Sequence, residues 1–144
     1  MLVSQILSGK GGGKVITATP DMLISEAAAI LAERRIGGLV VSTDGSSIEG
    51  ILSERDIVRS LAARGATCLE DKVADLMTRN PVCCSREDTS DQVLLRMTEG
   101  RFRHMPVVED GKLAGIVTIG DVVSARLSQL SMEKDALEGM IMGR

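Results

Sequence analysis

The sequence predicts a mixed α/β (α+β) chain built from two β-α-β-β-α repeats. Three observations carry that expectation. The stretch Gly50-Ile51-Leu52-Ser53-Glu54-Arg55-Asp56-Ile57-Val58 returns 65 positions later as Gly115-Ile116-Val117-Thr118-Ile119-Gly120-Asp121-Val122-Val123. Each copy reads Gly, two aliphatics, a hydroxyl residue, two variable positions, Asp and two aliphatics, the pattern of a short apolar strand entering a helix. The flanks correspond as well, at offsets drifting between 65 and 70 with the shifts in turns and loops. A period of that length is one small domain per repeat rather than a solenoid unit.

The elements follow in order. Residues 3–7 read as a helical turn. Gly9-Lys10-Gly11-Gly12-Gly13-Lys14 suggests a phosphate-binding loop, but Ser8 stands where the first Gly belongs, Val15 where Ser/Thr belongs, and a strand follows. It is read as a flexible basic linker. Val15 to Thr17 is a short strand. Pro20-Asp21 opens a helix whose Ile24, Ala27, Ala28 and Leu31 form one apolar face, and Gly37-Gly38 ends it. Leu39 to Ser42 and Ile48 to Leu52 form a hairpin around Asp44-Gly45. Ser53 begins a helix carrying Ile57, Val58 and Leu61, which ends at Arg64-Gly65.

The second course has a lead-in at Val73 to Met77, matching Val3 to Leu7. A strand over Val82 to Cys84 and a helix over Asp88 to Thr98 follow. A hairpin of Met105–Val108 and Leu113–Val117 turns at Asp110-Gly111. The last helix begins near Gly120 and runs to about Gly139. Its Val123, Leu130 and Leu137 are seven apart, a seam that packs on its own domain or on a second subunit. Domain bounds are 3–65, 73–130 and a helical extension over 131–144.

Composition narrows the function. The chain has 144 residues, 44% of them hydrophobic, enough for one compact core or two small fused ones. A net charge of −3 and a single aromatic, Phe102, speak against a nucleic-acid partner, because phosphate neutralisation and base stacking lack their residues. No apolar run is long enough for a membrane span, and Met1 to Gln5 lacks a secretory n-region. Cys68, Cys83 and Cys84 form neither an even framework nor a Cys-x-x-Cys pair, which fits reduced thiols in a cytoplasm. No metal cluster and no catalytic nucleophile constellation is present. His104 reads as structural or phosphate-contacting rather than as a base, and Cys83-Cys84 as core filling rather than a redox sensor.

A tandem pair carrying Ser53-Glu54-Arg55-Asp56 and Thr118-Ile119-Gly120-Asp121 at its strand–helix junctions resembles the CBS domain pair, or Bateman module. Phe102 to Val108 is similar to the family's second-strand signature. The resemblance spans about residues 3 to 127 and looks like the stand-alone bacterial kind. It implies two repeats packed about a pseudo-twofold axis, and two clefts holding adenosine ligands such as AMP, ATP, NAD(H) or S-adenosylmethionine. It also implies a homodimer and no catalytic cofactor. Each cleft would mix the repeats, with Asp56 facing the strands of repeat two and Asp121 those of repeat one. One carboxylate accepts from both vicinal ribose hydroxyls, the role expected of Asp56 and Asp121. Helix N-termini suit a phosphate, with Ser53 and Thr118 adding hydroxyls. Arg55 supplies a cation to the first cleft, as do Arg103 and His104. Ile119 and Gly120 supply none to the second, so its phosphate needs help elsewhere. Adenine is expected among aliphatics, near Val15 and Leu39 in one cleft and near Val82 and Met105 in the other, and Thr17 and Gly38 are further candidate ligand-binding residues.

The same two motifs also read as capping boxes, whose hydroxyl and carboxylate merely satisfy helix N–H groups. The expected function is a non-catalytic adenine-nucleotide sensor with an unknown regulated partner. The alternative is a structural dimerisation module with vestigial clefts.

Overall fold

The computed structural model describes residues 1–11 and 15–142. The order is α1 (Val3–Gly9), β1 (Thr17–Ala18), α2 (Ile24–Arg34), β2 (Gly38–Val41), β3 (Gly50–Ser53) and α3 (Glu54–Arg64). A 3-10 turn over Gly65–Glu70 leads to α4 (Val73–Leu76), β4 (Thr78–Arg79), α5 (Ser90–Gly100), β5 (His104–Glu109), β6 (Lys112–Thr118) and α6 (Ile119–Ile141). One sheet runs β1-β2-β3-β4, with β1 parallel to β2 and the other pairs antiparallel. The other is the β5-β6 hairpin, whose register shifts between Val107 and Val108.

The hairpins put equivalent residues in equivalent places. Gly38 pairs with Ser53 and Leu39 with Leu52 in the first; His104 pairs with Thr118 and Met105 with Val117 in the second. Strand alternation then sends Leu39, Leu52, Met105 and Val117 into the core, where each is fully buried. One core gathers Ile24, Ala27, Leu31, Leu39, Leu52 and Ile57; the other gathers Val93, Met97, Met105, Val107, Val117 and Val122.

The lead-in helices cross over. Val3 and Ile6 belong to the core of the second repeat, whereas Val73 and Met77 belong to that of the first. The backbone repeats the exchange. Val3 N–H donates to the Asp88 carbonyl at 2.9 Å, and Ile24 N–H to the Asp71 carbonyl at 2.9 Å. Each repeat is thus closed by the segment that precedes the other.

Several elements differ from the sequence reading. The first strand is Thr17–Ala18 rather than Val15–Thr17. Val82–Cys84 makes no strand, only a bridge from Cys84 to Val107. Asn80 turns with φ 49° and Pro81 has no N–H to donate, so the chain leaves the sheet there after β4 has paired with β3. Helix α2 starts at Ile24, not Pro20, and ends at Arg35 in the left-handed region (φ 54°, ψ 46°) before Gly37-Gly38 is reached. Helix α5 is Ser90–Gly100 rather than Asp88–Thr98; Thr89 is its N-cap, and Arg101 ends it at φ 57°. Asp88 instead accepts from Ser85 N–H at 2.9 Å and from Arg96 at 3.0 Å. These two donors hold its carboxyl below the usual range, the Ser85 amide acting most strongly.

Helix α6 is longer than expected. Its first turns pack on the core through Ile119, Val122 and Ala125, while Leu127, Leu130, Met132, Leu137, Met140 and Ile141 are exposed. The extension's last residues, 143 and 144, lie outside the described residues, as do Gly12-Gly13-Lys14 of the linker. Among the described residues no helix is long and apolar enough to cross a membrane, and no group of His, Cys, Asp or Glu is placed to hold a metal ion.

Candidate functional site

Each strand–helix junction builds the same small device. Ser53 is extended (φ −112°, ψ 160°) and its Oγ accepts from Asp56 N–H at 3.4 Å. Ser53 N–H and Oγ–H both donate to Asp56 Oδ2, at 2.9 and 3.2 Å. Thr118 repeats this, accepting from Asp121 N–H at 3.1 Å and donating its own N–H to Asp121 Oδ2 at 2.9 Å. The capping box is therefore real in both copies. It uses one carboxylate oxygen. Asp56 Oδ1 and Asp121 Oδ1 accept nothing among the described residues, so capping leaves each Asp an oxygen to offer.

Two clefts lie over these junctions, of about 310 and 760 Å³, within the range of small-molecule sites. The first brings Ser53, Arg55, Asp56 and Arg59 together with Val82, Phe102, Arg103 and His104. The second brings Thr118 and Asp121 together with Val15, Ile16, Gly38 and Lys10. Each cleft thus mixes the two repeats, with Asp56 opposite β5 and Asp121 opposite the start of β2.

Three of the expected lining residues are elsewhere. Leu39 and Met105 are fully buried core residues; the cleft-facing positions are their neighbours Gly38 and His104, one residue earlier on each strand. Thr17 is paired with Val40 in the sheet and lines neither cleft.

Gly37, Glu54, Arg103 and His104 line both clefts and form their common wall. Gly38 and His104 are equivalent by register, yet one carries no side chain and the other an imidazole. A Cβ on Gly38 would stand 2.9 Å from His104 Cδ2 and Cγ. The ring of one repeat therefore occupies the space that a side chain of the other would need. Burial pushes the His104 pKa down; Glu54 pulls it up, while Arg103 and Lys10 lower it further. This environment favours the uncharged imidazole over the cation expected from the sequence.

Sequence reasoning missed most of the charge around the clefts. Lys10 Nζ donates to Asp121 Oδ2 at 2.7 Å and to the Ile116 carbonyl at 3.0 Å. Burial works to raise the Asp121 pKa, but Lys10 and the Thr118 amide outweigh it and hold the carboxyl below its usual value. The helix-terminating Arg35 lines the second cleft, and its counterpart Arg101 lines the first. Nothing in the local sequence marks these residues except the repeat itself, which sets Arg35 and Arg101 at matching positions. Cys84 is a poor reactive thiol, because burial pushes it up to about 12.

The comparisons agree with this architecture. The CBS domain family model matches residues 11–63 and again 73–128, and the chain belongs to that family. The structure is similar to that of the CBS-domain containing protein ATU1752 from Agrobacterium tumefaciens. The two are 46% identical with a TM-score of 0.83, covering 88% of this chain and 99% of that one. It is also similar to the CBS domain protein PAE2072 from Pyrobaculum aerophilum complexed with AMP, at 25% identity and a TM-score of 0.72, covering 84% and 89%. The Arabidopsis thaliana protein CBSX3, mitochondrial, is 30% identical over 98% of this chain, which spans 72% of that relative. The chain spans less than a quarter of the length of several other curated relatives.

Proposed function

We propose that the chain is a non-catalytic sensor that binds an adenine nucleotide (AMP, ATP or NAD(H)) in the clefts at Asp56 and Asp121. The observation that carries this reading is the paired junction. Each helix N-terminus presents a carboxylate with an unused oxygen to a cavity that mixes both repeats. A ribose diol suits that oxygen, and Arg55, Arg59, Arg101 and Arg103 surround the first cleft with cations for a phosphate. AMP in the related Pyrobaculum protein supports the ligand class.

A ligand shifts the shape of such a module only by binding one arrangement better than another. The shared wall of Glu54, Arg103 and His104 is where the clefts would meet in doing so. The exposed Val58 and Leu61 of α3, with Val123, Leu127 and Leu130 of α6, support a homodimer through these helices. The free cysteines fit a reducing cytoplasm.

The test is thermal unfolding with AMP, ATP, NAD and NADH, on the parent and on Asp56→Asn and Asp121→Asn, which keep a capping oxygen. A nucleotide at 100 times its Kd stabilises by about 2.7 kcal/mol, or roughly 5–10 °C at this size. The expected result is a shift for at least one nucleotide that one Asn variant abolishes. No shift in protein shown to be nucleotide-free would instead leave a structural dimerisation module with vestigial clefts.

A further inference from the structure

The two junctions share a sequence pattern but differ in what their carboxylates already hold. In the first, both donors to Asp56 Oδ2 belong to Ser53. The Ser53 hydroxyl is free to turn its proton elsewhere, so the carboxylate keeps room for a diol. In the second, Oδ2 receives the Thr118 amide at 2.9 Å and the Lys10 ammonium at 2.7 Å. A carboxylate oxygen has about two acceptor sites, so both are taken. A diol that binds through the unused Oδ1 leaves Lys10 in place, and one that spans the two oxygens of Asp121 displaces it.

In either case the ammonium stands beside the bound ligand. It is tethered beside the cleft at the end of α1, and its remaining contact is the Ile116 carbonyl. An uncharged ligand offers this partly exposed cation no anion. A ligand with a phosphate gives it an anion to bind. The second motif carries Gly120 where the first carries Arg55, so Lys10 also fills the place of the missing cation. Arg35 and Arg103 line the same cleft, and Arg86 there is paired with Glu109 at 2.8 Å. Among the described residues Lys10 is the one cation bonded to the carboxylate itself.

We infer that Lys10 is the specificity-determining residue of the second cleft: it selects an anionic adenosine ligand over an uncharged one. The inference rests on the nucleotide reading above and deepens it. It gives the segment read from sequence as a mere linker a part in recognition.

The experiment is calorimetric titration of AMP and of adenosine into the Asp56→Asn chain, with Lys10 intact, as Lys10→Arg and as Lys10→Met. Binding that Asp121→Asn abolishes is assigned to the second cleft. Thermal unfolding without ligand checks that each variant is folded; an exposed ion pair contributes too little to unfold the chain. The expected result is that Lys10→Met weakens AMP while adenosine holds or tightens. The preference for AMP then falls about tenfold or more, the size of one charge-assisted hydrogen bond, and Lys10→Arg retains most of it. An unchanged preference, with Asp121-dependent binding intact, would overturn the role of Lys10 and leave the nucleotide reading standing. No Asp121-dependent binding of either ligand would overturn both for this cleft.

Discussion

Gly38→Ala tests the interlock between the repeats. The added methyl would lie 2.9 Å from His104 Cγ and Cδ2 and 3.1 Å from Nδ1, well inside ordinary carbon contact distances. Cγ is the ring atom nearest the backbone, so the imidazole escapes only by turning about Cα–Cβ. Glu54 and Gly37 stand close to that ring on the shared wall. Overpacking of this kind costs about 1–3 kcal/mol. Replacing Gly inside a strand returns roughly 0.5–1 kcal/mol of chain entropy. The net expectation is a destabilisation of about 0.5–2 kcal/mol, a Tm lower by roughly 1–8 °C. The assay is urea unfolding of a double-mutant cycle with His104→Ala. With the ring removed, Gly38→Ala becomes neutral or slightly stabilising, which gives a coupling of about 1–3 kcal/mol. If Gly38→Ala costs the same in both backgrounds, within about 0.5 kcal/mol, the interlock does not exist.

Other outcomes follow from the same geometry. Leu39→Ala, in the core behind the second cleft, should cost about 2–5 kcal/mol in urea unfolding while the folded fraction binds nucleotide as before. Arg101→Gly relieves a left-handed backbone at φ 57°. It should raise stability by a few tenths to about 1 kcal/mol yet weaken AMP more than adenosine at the first cleft by titration. His104 has a folded pKa below its unfolded value near 6.5. Between the two values the unfolded chain binds the extra proton, so stability is present above pH 6.5 and is lost as pH falls toward the folded pKa. Denaturant midpoints measured from pH 7.5 to 5 should show that loss, and His104→Asn should remove it. For the proposed homodimer, Leu127→Asp should shift the sedimentation behaviour from dimer to monomer.

The duplication made the junctions legible. Ser53, Asp56, Thr118 and Asp121 stand where the repeated strand–helix pattern puts them, because local pattern fixes local structure. The lining of the clefts was less legible, for two physical reasons. A strand alternates its faces, so of each adjacent pair expected at the site only one, Gly38 rather than Leu39 and His104 rather than Met105, reaches a cleft. An all-apolar strand such as Gly38–Val41 offers no alternation to show which one. Long-range meetings leave no local mark either: Lys10 reaches Asp121 across 111 positions. The crossing of Val3 and Val73 onto opposite repeats was hidden for a related reason. Matching lead-ins look alike whether each packs on its own repeat or on its twin.

The central claim is that Asp56 and Asp121 hold a ribose diol. The direct measurement is calorimetric titration of AMP against 2′,3′-dideoxy-AMP, which keeps the base and the phosphate and lacks both hydroxyls. A carboxylate–diol contact requires that the dideoxy ligand bind at least tenfold more weakly. It also predicts that Asp→Asn at the occupied cleft brings AMP down to the same level. Equal affinity for the two ligands, or an AMP affinity indifferent to both Asn variants, would contradict it.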